Sequence, residues 1–198
     1  MNYLAHAYLS FNIPEILAGN MISDFVKGKK QYDYPLAIQV GIRLHRAIDT
    51  FTDSHPFTKQ AKTFFQPAVG AYSGAFVDVA YDHFLAKDAK EFIDDTSLQA
   101  FATSTYVSLN GLAPILPERF VALLPSMQQH NWLYNYQFMD GIESSFKNVA
   151  RKATYLDNFD ACFQLFQAHY ISLEWCYANF FKDVKKMAIS FLRVEGYF

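Results

Sequence analysis

Histidine and aspartate recur at four-residue steps along one predicted helix. The stretch Gly41 to Pro56, GIRLHRAIDTFTDSHP, carries His45, Asp49 and Asp53. Positions four apart lie one above the other on an α-helix, so His45 and Asp49 can point at one spot, with Asp53 a turn further on. An imidazole and carboxylates stacked in this way can hold a divalent metal ion. An exposed polar face of i,i+4 pairs explains this single column equally well.

A second predicted helix carries carboxylates in an almost wholly apolar setting. The segment Ser73 to Ala86, SGAFVDVAYDHFLA, contains Asp78, Asp82 and His83. A helix that is apolar on nearly all sides is buried, and two buried carboxylates repel each other and lose hydration. Protonation, an arginine partner or a metal ion must compensate. We expect a metal ion, with a structural arginine network as the alternative.

Two shorter N-terminal helices add polar residues beside apolar faces. His6 lies among apolar residues of the first helix, where a lone histidine is most often a satisfied core residue. The second helix, EILAGNMISDFVKG, has Asn20 and Asp24 four residues apart on one face. Gly19 at mid-helix costs about 1 kcal/mol against alanine, which indicates that a ligand or a crossing helix approaches the backbone closely.

Together these polar side chains come from four predicted helices within the first 83 residues. All-helical proteins build metal sites in this way. Imidazole and carboxylate without thiolate favour Mn²⁺, Mg²⁺, Fe or Zn²⁺ over a structural cysteine–zinc site. The sequence contains no Gly-rich phosphate loop, no GxSxG motif and no Cys/His nucleophile pattern.

Basic residues concentrate in the first third of the chain, where they suit an anionic ligand or an acidic partner. A solvated face that keeps the protein soluble is the alternative. Metal-dependent hydrolysis of a phosphoester combines a metal site with such a patch, because the metal ion neutralises charge on phosphate oxygens. The basic residues are Lys27, Lys29, Lys30, Arg43, Arg46, Lys59 and Lys62.

The composition fits one all-α domain with a substantial core. The chain has 198 residues, of which 52% are hydrophobic and 18% aromatic. Few segments alternate with period two, which predicts helices throughout. We expect residues 1–198 to form a single domain, with metal-site helices in 1–90 and supporting helices in 97–198. The latter end in a long C-terminal helix whose aromatic stripe suits a core or dimer face.

Charge and targeting signals restrict the setting. A net charge of −2 gives no sign of a nucleic-acid binder. The N-terminal segment lacks a cationic leader, and Thr96 to Pro117 is too polar to span a membrane. Cys162 and Cys176 are expected as buried thiols in a reducing compartment. A soluble cytoplasmic protein of undetermined oligomeric state is therefore expected.

Four blocks of sequence carry a family resemblance. MNYLAHAYLS, LAGNMISDFVKG, GIRLHRAIDTFTD and VDVAYDHFLA resemble the bacterial acyl carrier protein phosphodiesterase family in order and spacing, over about the first 90 residues. That family is regarded as a divergent relative of the HD-domain metal-dependent phosphohydrolases, so the resemblance implies a helical bundle of that kind. It also implies hydrolysis of the phosphodiester that joins 4′-phosphopantetheine to a serine of holo-acyl carrier protein, usually with Mn²⁺.

The resemblance also implies roles for the residues at the motif positions. We expect one divalent metal ion, held mainly by Asp24, His45, Asp78 and Asp82. The full set of expected metal ligands is Asp24, His45, Asp49, Asp78, Asp82 and His83.

Further residues are expected to act on the substrate. Arg46 is expected to stabilise phosphate charge, His6 to protonate the departing serine oxygen, and Asp53 to assist catalysis. An acidic carrier protein would be received mainly by lysines, which raise the association rate. The expected substrate or partner residues are Asn20, Lys27, Lys29, Lys30 and Lys59.

Two other functions fit the same residues. The first is a metal phosphohydrolase that acts on a small nucleotide or a phosphomonoester. The second is a non-enzymatic helical module that binds a partner through its C-terminal stripe, with purely structural buried polar groups. His55, His130 and His169 receive no role from the sequence.

Overall fold

The computed structural model describes residues 1–152 and 159–198, and it contains no strand within these ranges. The all-α prediction is therefore confirmed. Short 3₁₀ helices cover Ser23–Phe25, Gly28–Asp33, Gly70–Tyr72 and Ala113–Ile115. The α-helices are α1 Tyr3–Tyr8, α2 Pro14–Ile22, α3 Leu36–Ser54, α4 Pro56–Val69, α5 Ser73–Lys87, α6 Asp95–Leu112, α7 Glu118–Val121, α8 Leu124–Gln129, α9 Trp132–Asn135, α10 Met139–Lys152, α11 Phe159–Ala168 and α12 Tyr170–Val194.

Helices α2 and α3 cross with their backbones in contact. A Cβ atom added at Gly19 would lie 2.1 Å from the carbonyl oxygen of Ile38, and one added at Gly41 would lie 2.3 Å from that of Ile16. No side chain fits at such distances, so glycine is required on both helices. The crossing helix explains the mid-helix Gly19 that the sequence left open between a helix and a ligand.

Helix α5 runs through the core, as its apolar sequence predicts. Phe76, Val77, Tyr81 and Leu85 are fully buried, and the helix packs against α1, α4, α10 and α12. The buried residues of α12, which include Leu173, face the same core. The aromatic stripe of the C-terminal helix therefore packs into the core along much of its length. Both cysteines are buried, as expected.

Helix α1 is held against α5 through its first turn. The carboxylate of Asp82 accepts hydrogen bonds from the backbone N–H groups of Asn2 and Leu4, at 3.2 and 2.7 Å. These N–H groups have no partner within the helix itself, because they belong to its N-terminal turn. The contact fixes α1 over α5 and thereby places His6 near α2 and α3. Within the described ranges, no helix has the length and apolar character needed to cross a membrane.

Candidate metal centre

Helices α1, α2, α3 and α5 border a cavity of about 250 Å³. Its lining includes residues of α3 and α5, the two helices predicted to carry carboxylates, and residues from the two N-terminal helices. The residues singled out from the sequence that line it are His6, Asn20, Asp24, His45, Asp49, Asp53 and Asp78.

A tight cluster of two imidazoles and one carboxylate lies at the base of this cavity. The rings of His6 and His45 stack with centroids 3.9 Å apart and planes inclined by 14°. Nε2 of His6 lies 3.3 Å from Oδ1 of Asp49, and Nε2 of His45 lies 3.1 Å from Oδ2. One potential ligand atom from each residue falls within 4.8 Å of the others, close enough for all three to bind one ion.

Both Nε2 atoms are buried and lack a hydrogen-bond partner in the described part of the chain. Their contacts with Asp49 are close but poorly aligned for hydrogen bonding. Buried polar atoms are normally satisfied, so two such atoms facing one carboxylate need an explanation. A bound cation would satisfy both Nε2 atoms and the carboxylate together, because His45 releases its Nε2 proton when it binds the ion. The donor set therefore fits a divalent metal ion.

The second nitrogen of each ring is bonded to Asn20. Nδ1 of His45 lies 2.7 Å from the backbone oxygen of Asn20, and Nδ1 of His6 lies 2.8 Å from its side-chain oxygen. Metal-binding histidines usually have such a partner on the nitrogen that does not face the ion. This pattern adds to the fit between the cluster and a metal ion.

The cluster also perturbs the proton affinities of its members. Burial, with repulsion from His45, lowers the pKa of His6 to about 4. Burial alone would lower the pKa of His45, but Asp24 and Asp49 outweigh it and raise that pKa to about 9. Burial alone would raise the pKa of Asp49, but His45 and His6 hold it well below its usual range. Asp49 is therefore an anion that attracts a cation.

Two more carboxylates, those of Asp24 and Asp78, border the cavity. Oδ1 of Asp24 lies 3.4 Å from Nε2 of His45, on an exposed side chain at the rim. Oδ1 of Asp78 lies 2.9 Å from the α-amino group of Met1, which also lies 3.6 Å from Asp49. Negative charge in the cavity thus already attracts a cationic group of the protein itself.

The structure does not bring Asp82 and His83 into this cluster, although both were expected as metal ligands. The carboxylate of Asp82 is bonded to the backbone of α1. His83 donates from Nδ1 to the oxygen of Tyr136 at 2.7 Å and accepts at Nε2 from the hydroxyl of Tyr170 at 2.9 Å. Burial raises the pKa of Asp82 to about 7 and lowers that of His83 to about 4. Both residues are satisfied by the protein.

The expected catalytic residues Arg46 and Asp53 have other partners. The guanidinium of Arg46 donates to Oε1 of Gln31 at 2.7 Å and to the oxygen of Val26 at 3.4 Å, so it braces the segment after Asp24. Asp53 accepts from Lys62 at 2.6 Å and is largely exposed.

The expected partner residues lie in three places. Lys27, Lys29 and Lys30 are exposed at the braced segment, and Lys59 is exposed on α4. Asn20 is fully buried beneath the two histidines, so it cannot touch a protein partner in this conformation. Its place beneath the rings was not visible in the sequence, where only its spacing to Asp24 was informative.

A cluster of two histidines and an aspartate in an all-helical protein can support hydrolysis when it binds a divalent metal ion. Comparisons with known proteins define the family more closely. The family model described as acyl carrier protein phosphodiesterase matches residues 1–184, and the chain belongs to that family.

Curated relatives agree with this assignment. A Klebsiella pneumoniae protein named acyl carrier protein phosphodiesterase is 33% identical over 188 residues, covering 95% of this chain and 97% of the relative. A protein of the same name from a strain of Escherichia coli is 30% identical with the same coverage. No solved structure matches the chain. The resemblance stated from the sequence is thus confirmed.

Proposed function

We propose that this protein hydrolyses the phosphodiester between 4′-phosphopantetheine and the serine of holo-acyl carrier protein, releasing apo-acyl carrier protein. Family membership and the names of the relatives support the reaction. The observation that carries the proposal is the pair of buried, unpartnered Nε2 atoms of His6 and His45 beside the carboxylate of Asp49. These three groups line a cavity of about 250 Å³.

A divalent metal ion is the proposed cofactor, held by His6, His45 and Asp49. Asp24 and Asp78 border the same cavity and can complete the coordination. Mn²⁺ is proposed first, and Mg²⁺, Fe²⁺ or Zn²⁺ also suit imidazole and carboxylate ligands. Such an ion supplies Lewis-acid chemistry, because it acidifies water and draws charge from phosphate oxygens.

His6 is assigned to metal binding instead of to proton transfer. Its Nδ1 bond to Asn20 leaves Nε2 as the nitrogen that faces the cavity, 3.3 Å from Asp49. In the neutral ring that nitrogen carries a lone pair and no proton. A group in this state can bind a cation but cannot protonate a leaving oxygen.

The basic segment beside the cavity is proposed to receive the carrier protein. Lys27, Lys29 and Lys30 are exposed there. Arg46, which follows His45 on α3, donates a hydrogen bond to Gln31 in the same segment as the lysines. This bond holds the segment, and with it the lysines, close to α3. An acidic partner would be attracted by these charges, mainly through its association rate. We place this reaction in the cytoplasm, where the reduced state expected for the buried cysteines is maintained.

The proposal is tested by incubating the purified protein with holo-acyl carrier protein and following the mass of the carrier. We expect loss of the phosphopantetheine mass, abolition of this loss by EDTA and recovery with Mn²⁺. Activity that is indifferent to the chelator would contradict the metal assignment. Hydrolysis of nucleotides or phosphomonoesters in preference to the carrier would favour the small-molecule alternative. A protein that binds the carrier but leaves it intact would favour a binding module.

A further inference from the structure

We propose that Asn20 is the positioning residue of the centre, which fixes both histidines with the Nε2 lone pair toward the cavity. The inference deepens the proposed function, because it concerns the same site. Asn20 is not expected to bind the metal ion or the substrate. It acts through the orientation of His6 and His45. One residue therefore sets the orientation of two ligands that come from different helices.

The hydrogen bonds of Asn20 determine which ring nitrogen carries the proton. Its backbone oxygen lies 2.7 Å from Nδ1 of His45, and its side-chain oxygen lies 2.8 Å from Nδ1 of His6. Carbonyl and amide oxygens only accept hydrogen bonds, so both Nδ1 atoms must donate. In each neutral ring the proton is then on Nδ1, and Nε2 is free to bind a cation.

The orientation of the Asn20 amide is itself fixed by its other end. The amide nitrogen donates to the backbone oxygen of His6 at 2.8 Å and to Oγ of Ser10 at 3.0 Å. Rotating the amide by half a turn would place its NH₂ group against Nδ1 of His6 and lose both of these bonds. The side chain is fully buried, so water cannot replace them. The amide oxygen is thus held toward His6.

The glycine crossing of α2 and α3 makes the hydrogen bond between His45 and the backbone oxygen of Asn20 possible. Gly19 precedes Asn20 on α2, and Gly41 lies one helical turn before His45 on α3. Because the two backbones touch there, the carbonyl of Asn20 comes within hydrogen-bond distance of the His45 ring. The orientation of the His45 ring therefore depends on the close packing of α2 on α3.

Metal sites in other proteins indicate how large the effect of losing such an orienting partner should be. Substitution of groups that orient metal ligands typically costs 10–100-fold in metal affinity or activity. For Asn20→Leu we expect Mn²⁺ affinity to fall by about 10–100-fold. Asn20→Asp keeps an oxygen toward Nδ1 of His6, so it should retain more of the affinity than the leucine variant. Thr105→Val on α6 removes another buried polar group and should leave the affinity unchanged.

The test combines two readouts on full-length protein. Nitrogen-15 NMR of the metal-free protein reports which ring nitrogen of His6 carries the proton. We expect the proton on Nδ1 in the wild type, in Asn20→Asp and in Thr105→Val, and a shifted or mixed tautomer in Asn20→Leu. Mn²⁺ affinity is measured on the same four proteins, and circular dichroism checks their helix content.

The two proposals fail in different ways. A wild type that binds no Mn²⁺ but has the His6 proton on Nδ1 would contradict the metal site and leave the positioning role of Asn20 intact. A folded Asn20→Leu variant that keeps the wild-type tautomer and the wild-type Mn²⁺ affinity would overturn the role of Asn20. The role is also overturned if Asn20→Asp loses the tautomer as completely as the leucine variant does.

Discussion

Helices α3 and α5 each carry a pair of histidine and aspartate, and the two pairs differ in how their polar atoms are satisfied. On α3, Nε2 of His45 faces Asp49 and has no hydrogen-bond partner within residues 1–152 and 159–198. On α5, both oxygens of Asp82 and both ring nitrogens of His83 are bonded to the protein. Burial alone therefore does not mark a metal ligand. The informative feature is a set of unsatisfied atoms that converge.

The sequence predicts metal ligands in both pairs, and the reason for their difference lies in distant parts of the chain. Asp82 is satisfied by the first turn of α1, and His83 by Tyr136 and Tyr170. The most distant of these partners, Tyr170, lies 87 positions from His83 in the sequence. The α3 pair instead opens onto a cavity, where an ion or a substrate can supply what the protein does not.

The largest expected effect is the loss of the α3 carboxylate. Asp49→Asn keeps the shape of the side chain but removes the charge that attracts a cation. We expect turnover to fall by more than about 100-fold, beyond the loss expected for an orienting partner. The measurement is the rate of apo-carrier formation, with helix content checked by circular dichroism.

The matched substitution on α5 is Asp82→Asn. It weakens the attachment of α1, which positions His6, so we expect lower thermal stability and some loss of activity, but a much smaller loss than in Asp49→Asn. Equal losses of activity in the two aspartate variants would break the distinction between the two pairs.

A smaller effect is expected from widening the α2–α3 crossing. The methyl group of Gly41→Ala would press on the backbone of α2, and overpacking of this kind costs about 1–3 kcal/mol or more. We expect a lower free energy of unfolding together with weaker Mn²⁺ binding, because the Asn20 carbonyl is pushed away from His45. Chemical denaturation and metal titration give the two quantities.

Gly111→Ala on α6 is the control for this experiment. A Cβ atom at Gly111 meets nothing within 4 Å, so alanine should stabilise the helix by about 0.5–1 kcal/mol. Metal binding should not change. A Gly41→Ala protein as stable as the wild type would show that the crossing tolerates separation, contrary to this account.

Reversal of charge at the basic segment should affect encounter with the carrier more than chemistry. We expect the triple change of Lys27, Lys29 and Lys30 to Glu to lower kcat/KM by about tenfold at low salt, with little change in kcat. The difference should shrink as salt is added. The matched control is the same Lys→Glu change at three other exposed lysines, Lys90, Lys182 and Lys186. Equal sensitivity at both places would show that only net charge matters.

The smallest effect on activity is expected at the α5 histidine, where a substitution should instead change the pH dependence of stability. The pKa of His83 is about 4 in the folded protein, against 6.5 for the free side chain. The unfolded chain therefore takes up the proton first, so His83 contributes stability above about pH 6.5 that is lost as the pH falls toward 4. His83→Gln should flatten stability in this window and leave activity near the wild-type value. Thermal unfolding from pH 4 to 7 measures it, and an unchanged slope would contradict the neutral, buried state.

The sequence is sufficient for those features that depend on local spacing. The His45–Asp49 pair follows from the i,i+4 geometry of one helix, and the close approach at Gly19 follows from a glycine in a helix interior. The burial of α5 follows from its apolar surface.

Features that depend on distant contacts could not be obtained in this way. His6 stacks on His45 although the two lie 39 positions apart in the sequence, and the docking of α1 on α5 brings them together. The spacing of Arg46 gives no sign that its guanidinium is bonded to Gln31 and Val26 instead of facing a phosphate. A sequence shows which polar residues are buried, but not which of them the fold has already satisfied.

The most direct test of the central claim is a crystal structure of the protein grown with Mn²⁺ and measured by anomalous diffraction. We predict an anomalous peak bonded to Nε2 of His6, to Nε2 of His45 and to the carboxylate of Asp49. A peak beside Asp82 and His83, or an empty cavity in crystals saturated with Mn²⁺, would contradict the account.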